Sequence, residues 1–90
     1  MLIVTYDIHN DKLRAKFSIL LKKYGRRLQY SVFEIKNSER ILNILLTEIE
    51  NIFEPKFTAD SILIIPISNA LNEKIIRYQP AMEEEEILFL

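Results

Sequence analysis

Apolar and polar positions alternate over residues 1–8. Leu2, Val4, Tyr6 and Ile8 fall on one side and Ile3, Thr5 and Asp7 on the other, which is the period of a β-strand. His9, Asn10 and Asp11 break the alternation with three polar residues that can cap a helix. Over residues 12–24 the period changes. Leu13, Phe17, Leu20, Leu21 and Tyr24 share one helical face, and Lys12, Lys16, Lys22 and Lys23 lie mostly off it. Gly25, the only glycine, stands where a left-handed helix C-cap is expected. Residues 26–36 carry the strand formers Leu28, Tyr30, Val32, Phe33 and Ile35. No Gly, Pro or Asn-Gly marks a turn there, so one bent strand and a tight hairpin near Tyr30-Ser31 are both open. Ser38 suits the N-cap of a second helix that carries Ile41, Leu42, Leu45, Leu46, Ile49, Ile52 and Phe53 and is expected to stop before Pro55. Residues 60–67 read as a strand apolar on both faces, and residues 74–78 as a short strand. Four glutamates, 83–86, precede the final Ile87-Leu88-Phe89-Leu90.

This order predicts an α+β fold, a ferredoxin-like split βαβ sheet with both helices on one face. Ninety residues make one domain, 1–90, with residues 79–90 as a C-terminal tail whose last residues are expected to add an edge strand. Two helices cover only one face of such a sheet. Yet residues 60–67 offer Ile62 and Ile64 to one side and Leu63, Ile65 and Ile67 to the other, and the first strand is apolar on both sides too. An exposed apolar face of that size marks an interface. A second copy, packed sheet to sheet about a two-fold axis, is the simplest cover, so a homodimer is expected.

Composition narrows the function. Hydrophobic residues make up 49% of the chain, far above a disordered composition. Cysteine is absent, which removes disulfides and thiolate metal sites from consideration. No apolar stretch approaches membrane-spanning length and no leader pattern opens the chain, so a cytoplasmic protein with no membrane partner is expected. The net charge of −1 hides an asymmetry. Residues 1–36 hold eight Lys and Arg against three acids, a net +5, and residues 37–90 hold four against ten, a net −6. Local potential decides where a phosphate backbone sits, which favours the first segment, although lysine-rich helix faces are commonly ordinary solvated surface.

Asp7 is the main candidate for chemistry. It lies at the end of the first strand, among apolar neighbours and just before a basic helix. If a two-fold axis passes near this strand end, Asp7 from each copy faces the other, and two carboxylates repel unless a cation or a shared proton lies between them. Mg²⁺ fits: it takes oxygen ligands, needs few from protein and keeps several waters. It could activate water and stabilise charge on a phosphoryl oxygen. His9 is a weaker candidate. Gln29 and Ser31 could bond phosphate or satisfy strand backbone.

The string Tyr6-Asp7-Ile8, then Asp11-Lys12 with Arg14, Tyr24-Gly25, and Gln29-Tyr30-Ser31-Val32-Phe33-Glu34 resembles one family. This is the small CRISPR-associated protein, second of the two near-universal adaptation proteins and partner of the CRISPR integrase. The resemblance is densest over residues 1–36. It implies a ferredoxin-like homodimer, metal-dependent endonuclease activity on RNA or DNA, and a place in the complex that captures foreign DNA. Carried over by motif, Asp7 is the metal-binding and catalytic residue, and Tyr6 and Phe33 are the aromatics beside it. Arg14 and Arg27 are basic positions near the groove, with Arg26 competing for the second. Lys16, on the same basic helix, is a further candidate nucleic-acid contact. A non-catalytic DNA scaffold bridging integrase dimers is the alternative. A small-molecule regulatory domain ranks below both.

Overall fold

The computed structural model describes residues 1–67. Strand β1 (Leu2–Asp7) leads into helix α1 (Asp11–Lys22), then a hairpin of β2 (Gly25–Gln29) and β3 (Val32–Ile35), helix α2 (Glu39–Glu48) and strand β4 (Ser61–Pro66). The expected strand at 74–78 and the tail at 79–90 lie outside the described residues.

The sheet order is β2-β3-β1-β4, with every neighbouring pair antiparallel. This is the ferredoxin-like arrangement read from the sequence. β3 and β1 are the central strands: β1 pairs with both β3 and β4, and its ladder with β4 extends to Met1, whose backbone exchanges hydrogen bonds of 2.9 Å with Ile67.

Burial follows the alternation. Leu2, Val4, Tyr6, Ile8, Phe33 and Ile35 meet Leu13, Phe17, Leu20 and Leu21 of α1 and Ile41 and Leu45 of α2 in one cluster on one face. Phe17 is its hub, with edge-on ring contacts to Tyr6 and Phe53, each at 5.0 Å between centroids. Among the described residues nothing covers the opposite face: Leu63 is 61% and Ile65 45% exposed, and their cross-strand partners are Thr5 and Ile3. The exposed apolar face expected from the pattern is therefore present.

Local signals explain the helix starts. The Asn10 side chain accepts from the Leu13 backbone N–H at 2.9 Å, and the Ser38 hydroxyl accepts from that of Ile41 at 3.3 Å. The ends differ from expectation. α2 gives way to a π-helical turn, Ile49–Phe53, and a 3-10 turn, Glu54–Lys56, so the helical path runs through Pro55. Proline is tolerated there because the first turn needs no N–H from it.

Gly25 is not a left-handed cap. α1 ends on Lys23 in ordinary helical geometry, and Gly25 opens β2 opposite Ile35 without a positive φ. Its missing side chain serves a close approach: a Cβ at this position would lie 2.0 Å from the Glu34 carbonyl oxygen. The 26–36 segment is a hairpin turning at Tyr30-Ser31, with an irregularity between Arg27 and Gln29.

Candidate functional site

β1 delivers two consecutive side chains to different environments. Tyr6 points into the core, where its ring lies edge-on to Phe17, and Asp7 emerges at the strand end with its side chain 72% exposed. Beside them a cleft of about 530 Å³ opens between the start of α1 and the hairpin tip. Its walls include Tyr6, Asp7, His9, Arg14, Arg27, Tyr30 and Ser31.

Four of the sequence-derived site residues thus share one cleft: Tyr6, Asp7, Arg14 and Arg27. Register gives the adjacent arginines different neighbours. Arg26 pairs with Glu34 and makes a 3.1 Å ion pair with it. Arg27 pairs with Phe33, and its guanidinium carbon lies 5.1 Å from the Phe33 ring centroid. The Arg27 Nε is buried with no hydrogen-bond partner among the described residues. A buried, unpaired cationic donor is costly unless an acceptor arrives, and phosphate is a suitable acceptor.

Arg14 is already engaged. It donates to the Ile8 carbonyl at 3.0 Å and the His9 carbonyl at 3.4 Å, and it pairs with Asp11 at 2.6 Å. It holds the β1–α1 loop in shape as well as lining the cleft. Phe33 is fully buried and does not face the opening. It acts on the site from beneath Arg27 and next to Tyr6, at 6.3 Å between rings. Lys16 falls elsewhere, beside Asn10, Lys12, Leu13 and Lys56 in a separate depression.

Burial pushes the Tyr6 hydroxyl above its ordinary pKa, and the positive charges of Arg27 and Arg14 pull it back in part. It therefore stays protonated at neutral pH, and its hydroxyl donates a long 3.5 Å bond to the Tyr30 carbonyl. The Tyr6 backbone N–H donates to Ser31 at 3.1 Å, so the hairpin tip is tied to the strand that carries Asp7.

A pair that sequence reasoning did not assemble lies on the other side of Asp7. One Asp60 carboxylate oxygen accepts from the His9 backbone N–H at 2.8 Å and meets His9 Nδ1 at 2.9 Å. The other accepts from the Thr58 backbone N–H at 3.1 Å. These bonds, the backbone one from His9 foremost, lower the Asp60 pKa. The His9 Nε2 stands 3.7 Å from an Asp7 oxygen. The signal available in sequence was the antiparallel pairing of β1 with β4, which sets Asp7 against Ser61 and so brings residues 9 and 60 together.

Among the described residues, no three His, Cys, Asp or Glu side chains converge on one point where a metal could be held. Asp7 nevertheless suits a divalent cation as half of a site. Among the described residues its carboxylate pairs with no arginine or lysine, and it stands on the outer face of the sheet with Thr5 and Ile3. Mg²⁺ needs only one or two carboxylates because it retains waters.

Fold and cleft together define a ferredoxin-like α+β domain with an open carboxylate at a central strand's end, flanked by arginines. Comparison with known proteins agrees. Residues 1–75 match the family described as CRISPR associated protein Cas2. A Thermus thermophilus protein named CRISPR-associated endonuclease Cas2 2 is 33% identical over 85 residues, covering 94% of this chain and 92% of its own. A Synechocystis protein named CRISPR-associated endoribonuclease Cas2 3 is 38% identical over 66 residues, 73% of this chain and 70% of its own. Among solved structures, a hypothetical protein from Thermus thermophilus superposes with a TM-score of 0.70 at 32% identity, covering 89% of this chain and 93% of its own. Streptococcus pyogenes Cas2 superposes with a TM-score of 0.72 at 23% identity, covering 87% and 98%, and so shares the fold. The chain belongs to the Cas2 family. Among the described residues, no helix is long and apolar enough to cross a membrane.

Proposed function

We propose that this protein is a homodimeric, divalent-metal-dependent endonuclease of CRISPR adaptation, hydrolysing phosphodiesters in RNA or DNA and serving in the cytoplasm beside the CRISPR integrase. The relatives' names, endonuclease and endoribonuclease, support the reaction class. The observation that carries it is the juxtaposition of the open Asp7 carboxylate with the unpaired Arg27 Nε in one cleft.

In this reading the sheet's outer face is buried against a second copy, and the two Asp7 carboxylates would together hold a divalent cation such as Mg²⁺. When bound, the cation supplies Lewis acidity for water activation and for the charge that develops on a phosphoryl oxygen. The chain's own groups do the rest. Arg27 binds the scissile-strand phosphate through its free donor, braced by Phe33. Arg14 fixes the loop that aims Asp7 and exchanges its exposed bond to Asp11 for phosphate. Tyr6 keeps a neutral hydroxyl at the cleft wall. Tyr30, 87% exposed at the hairpin tip, offers a ring on which a base can stack. Lys16 adds long-range attraction.

The test is divalent-dependent cleavage of RNA and duplex DNA by purified protein and by Asp7→Ala. Cleavage should disappear in the variant while fold and dimer persist. Equal residual cleavage refutes the catalytic assignment. One observation favours a second reading, a non-catalytic scaffold that spaces integrase dimers on DNA: each chain contributes a single carboxylate to the centre. A scaffold still supports spacer capture as Asp7→Ala and loses it when Arg27 and Lys16 are changed to Glu.

A further inference from the structure

The lone histidine has the geometry of a metal ligand. An ionised Asp60 can only accept, so the 2.9 Å contact to His9 puts the hydrogen on Nδ1. In the neutral ring Nε2 is then a free lone pair, and it is the nitrogen that faces Asp7. A carboxylate that takes the far N–H of an imidazole is the usual outer support of a metal-bound histidine, because it fixes both tautomer and ring orientation. Asp60 is built for that support: its side chain is 3% exposed, and it is held by the backbone N–H groups of His9 and Thr58.

We propose that His9 Nε2 is a second ligand to the cation at Asp7, oriented by Asp60, and that the site therefore prefers a borderline transition-metal dication to Mg²⁺. This rests on the reading that Asp7 holds a divalent cation. The spacing is compatible. Ligands bonded at about 2.0–2.2 Å and set 3.7 Å apart subtend about 120° at a shared ion. That is nearer tetrahedral than octahedral, and a small rotation of the exposed Asp7 side chain closes the difference. Imidazole nitrogen suits Zn²⁺, Co²⁺ or Ni²⁺, whereas Mg²⁺ seeks oxygen and water. Two chains meeting at Asp7 bring two carboxylates and two imidazoles, a complete four-ligand set.

The experiment titrates the full-length protein with Co²⁺ and, separately, Mg²⁺, following calorimetry and the visible Co²⁺ spectrum. Because the chain has one histidine, its ring nitrogen resonances can be followed on Zn²⁺ addition without assignment. Wild type should bind Co²⁺ more tightly than Mg²⁺, with the Nε2 signal responding. His9→Ala and His9→Gln should lose roughly tenfold or more in Co²⁺ affinity with Mg²⁺ affinity unchanged. Asp60→Asn, checked for folding by circular dichroism, should lose roughly 10–100-fold in Co²⁺ affinity. Wild-type Co²⁺ affinity in both His9 variants overturns the proposal, even if Asp7→Ala abolishes cleavage and so upholds the nuclease. Cation binding through His9 without any cleavage upholds it and refutes the nuclease. A wild-type protein that binds no dication overturns both.

Discussion

Replacing Gly25 with alanine tests whether this glycine serves a close strand approach or a helix cap. The added Cβ would lie 2.0 Å from the Glu34 carbonyl oxygen, 2.9 Å from its carbon and 2.7 Å from the Ile35 Cδ1. The isoleucine methyl can swing away, but the carbonyl belongs to β3 and cannot. To reach even 3.0 Å, the two strands must part by about 1 Å at the pairs Gly25–Ile35 and Arg26–Glu34. Loss of one or two ladder hydrogen bonds costs about 1 kcal/mol each, and overpacking strain adds about 1–3 kcal/mol. A total of about 2–5 kcal/mol is a large share of a small domain's stability, and it corresponds to a fall in Tm of about 8–40 °C. Thermal unfolding by circular dichroism, at one protein concentration because self-association would shift Tm, provides the measurement. Gly25→Asn sharpens it. Asparagine tolerates left-handed backbone, so a capping role predicts mild loss with Asn, whereas the close approach predicts that Ala and Asn fail alike. A Tm within about 2 °C of wild type for either variant refutes the steric argument.

The lowered pKa of Asp60 gives the folded state stability that is present above the carboxylate's ordinary value and is lost as pH falls through its depressed folded value. Asp60→Asn should therefore flatten the acid limb of a stability–pH profile measured by urea unfolding, and an unchanged limb would show the carboxylate to be idle. Phe17→Ala removes a fully buried ring with two aromatic partners, and should cost about 3–5 kcal/mol in the same assay. Leu63→Lys alters an exposed side chain on the sheet face away from the helices, so a single chain should fold as before. In sedimentation the variant should nonetheless run as a monomer where the wild type runs as a dimer.

Where alternation and capping residues governed structure, the chain was readable in advance: β1, α1, α2 and the order of elements follow from Leu2, Val4, Tyr6, Phe17, Asn10 and Ser38. Features set by contacts between distant residues were not. The turn at Tyr30-Ser31 has no turn residue, because Tyr6 holds it from another strand through Ser31 and Tyr30 carbonyls. Gly25 looked like a cap because nothing in a one-dimensional pattern reveals the Glu34 carbonyl against it. Within the candidate site, Asp7 and the arginines were visible through motif order. Phe33 was seen as a residue beside Asp7 and proves to be a buried brace, and Lys16 belongs to a neighbouring depression. His9 and Asp60, 51 positions apart, meet only through strand register.

The irregularity between Arg27 and Gln29 has a consequence for how this hairpin can change length. Arg27 is set against Phe33 and Gln29 against Val32, so two steps along β2 match one along β3, and Leu28, between them, is buried. Removing Leu28 would restore strict two-residue parity while leaving Arg27 in the cleft. Removing Arg26 or Arg27 leaves a single arginine and moves the rest of the strand by one place, so the surviving cation must choose between Glu34 and the phosphate site. Position 28 is therefore the one place where this strand could lose a residue and keep its charges in register, and the loss there is a buried leucine.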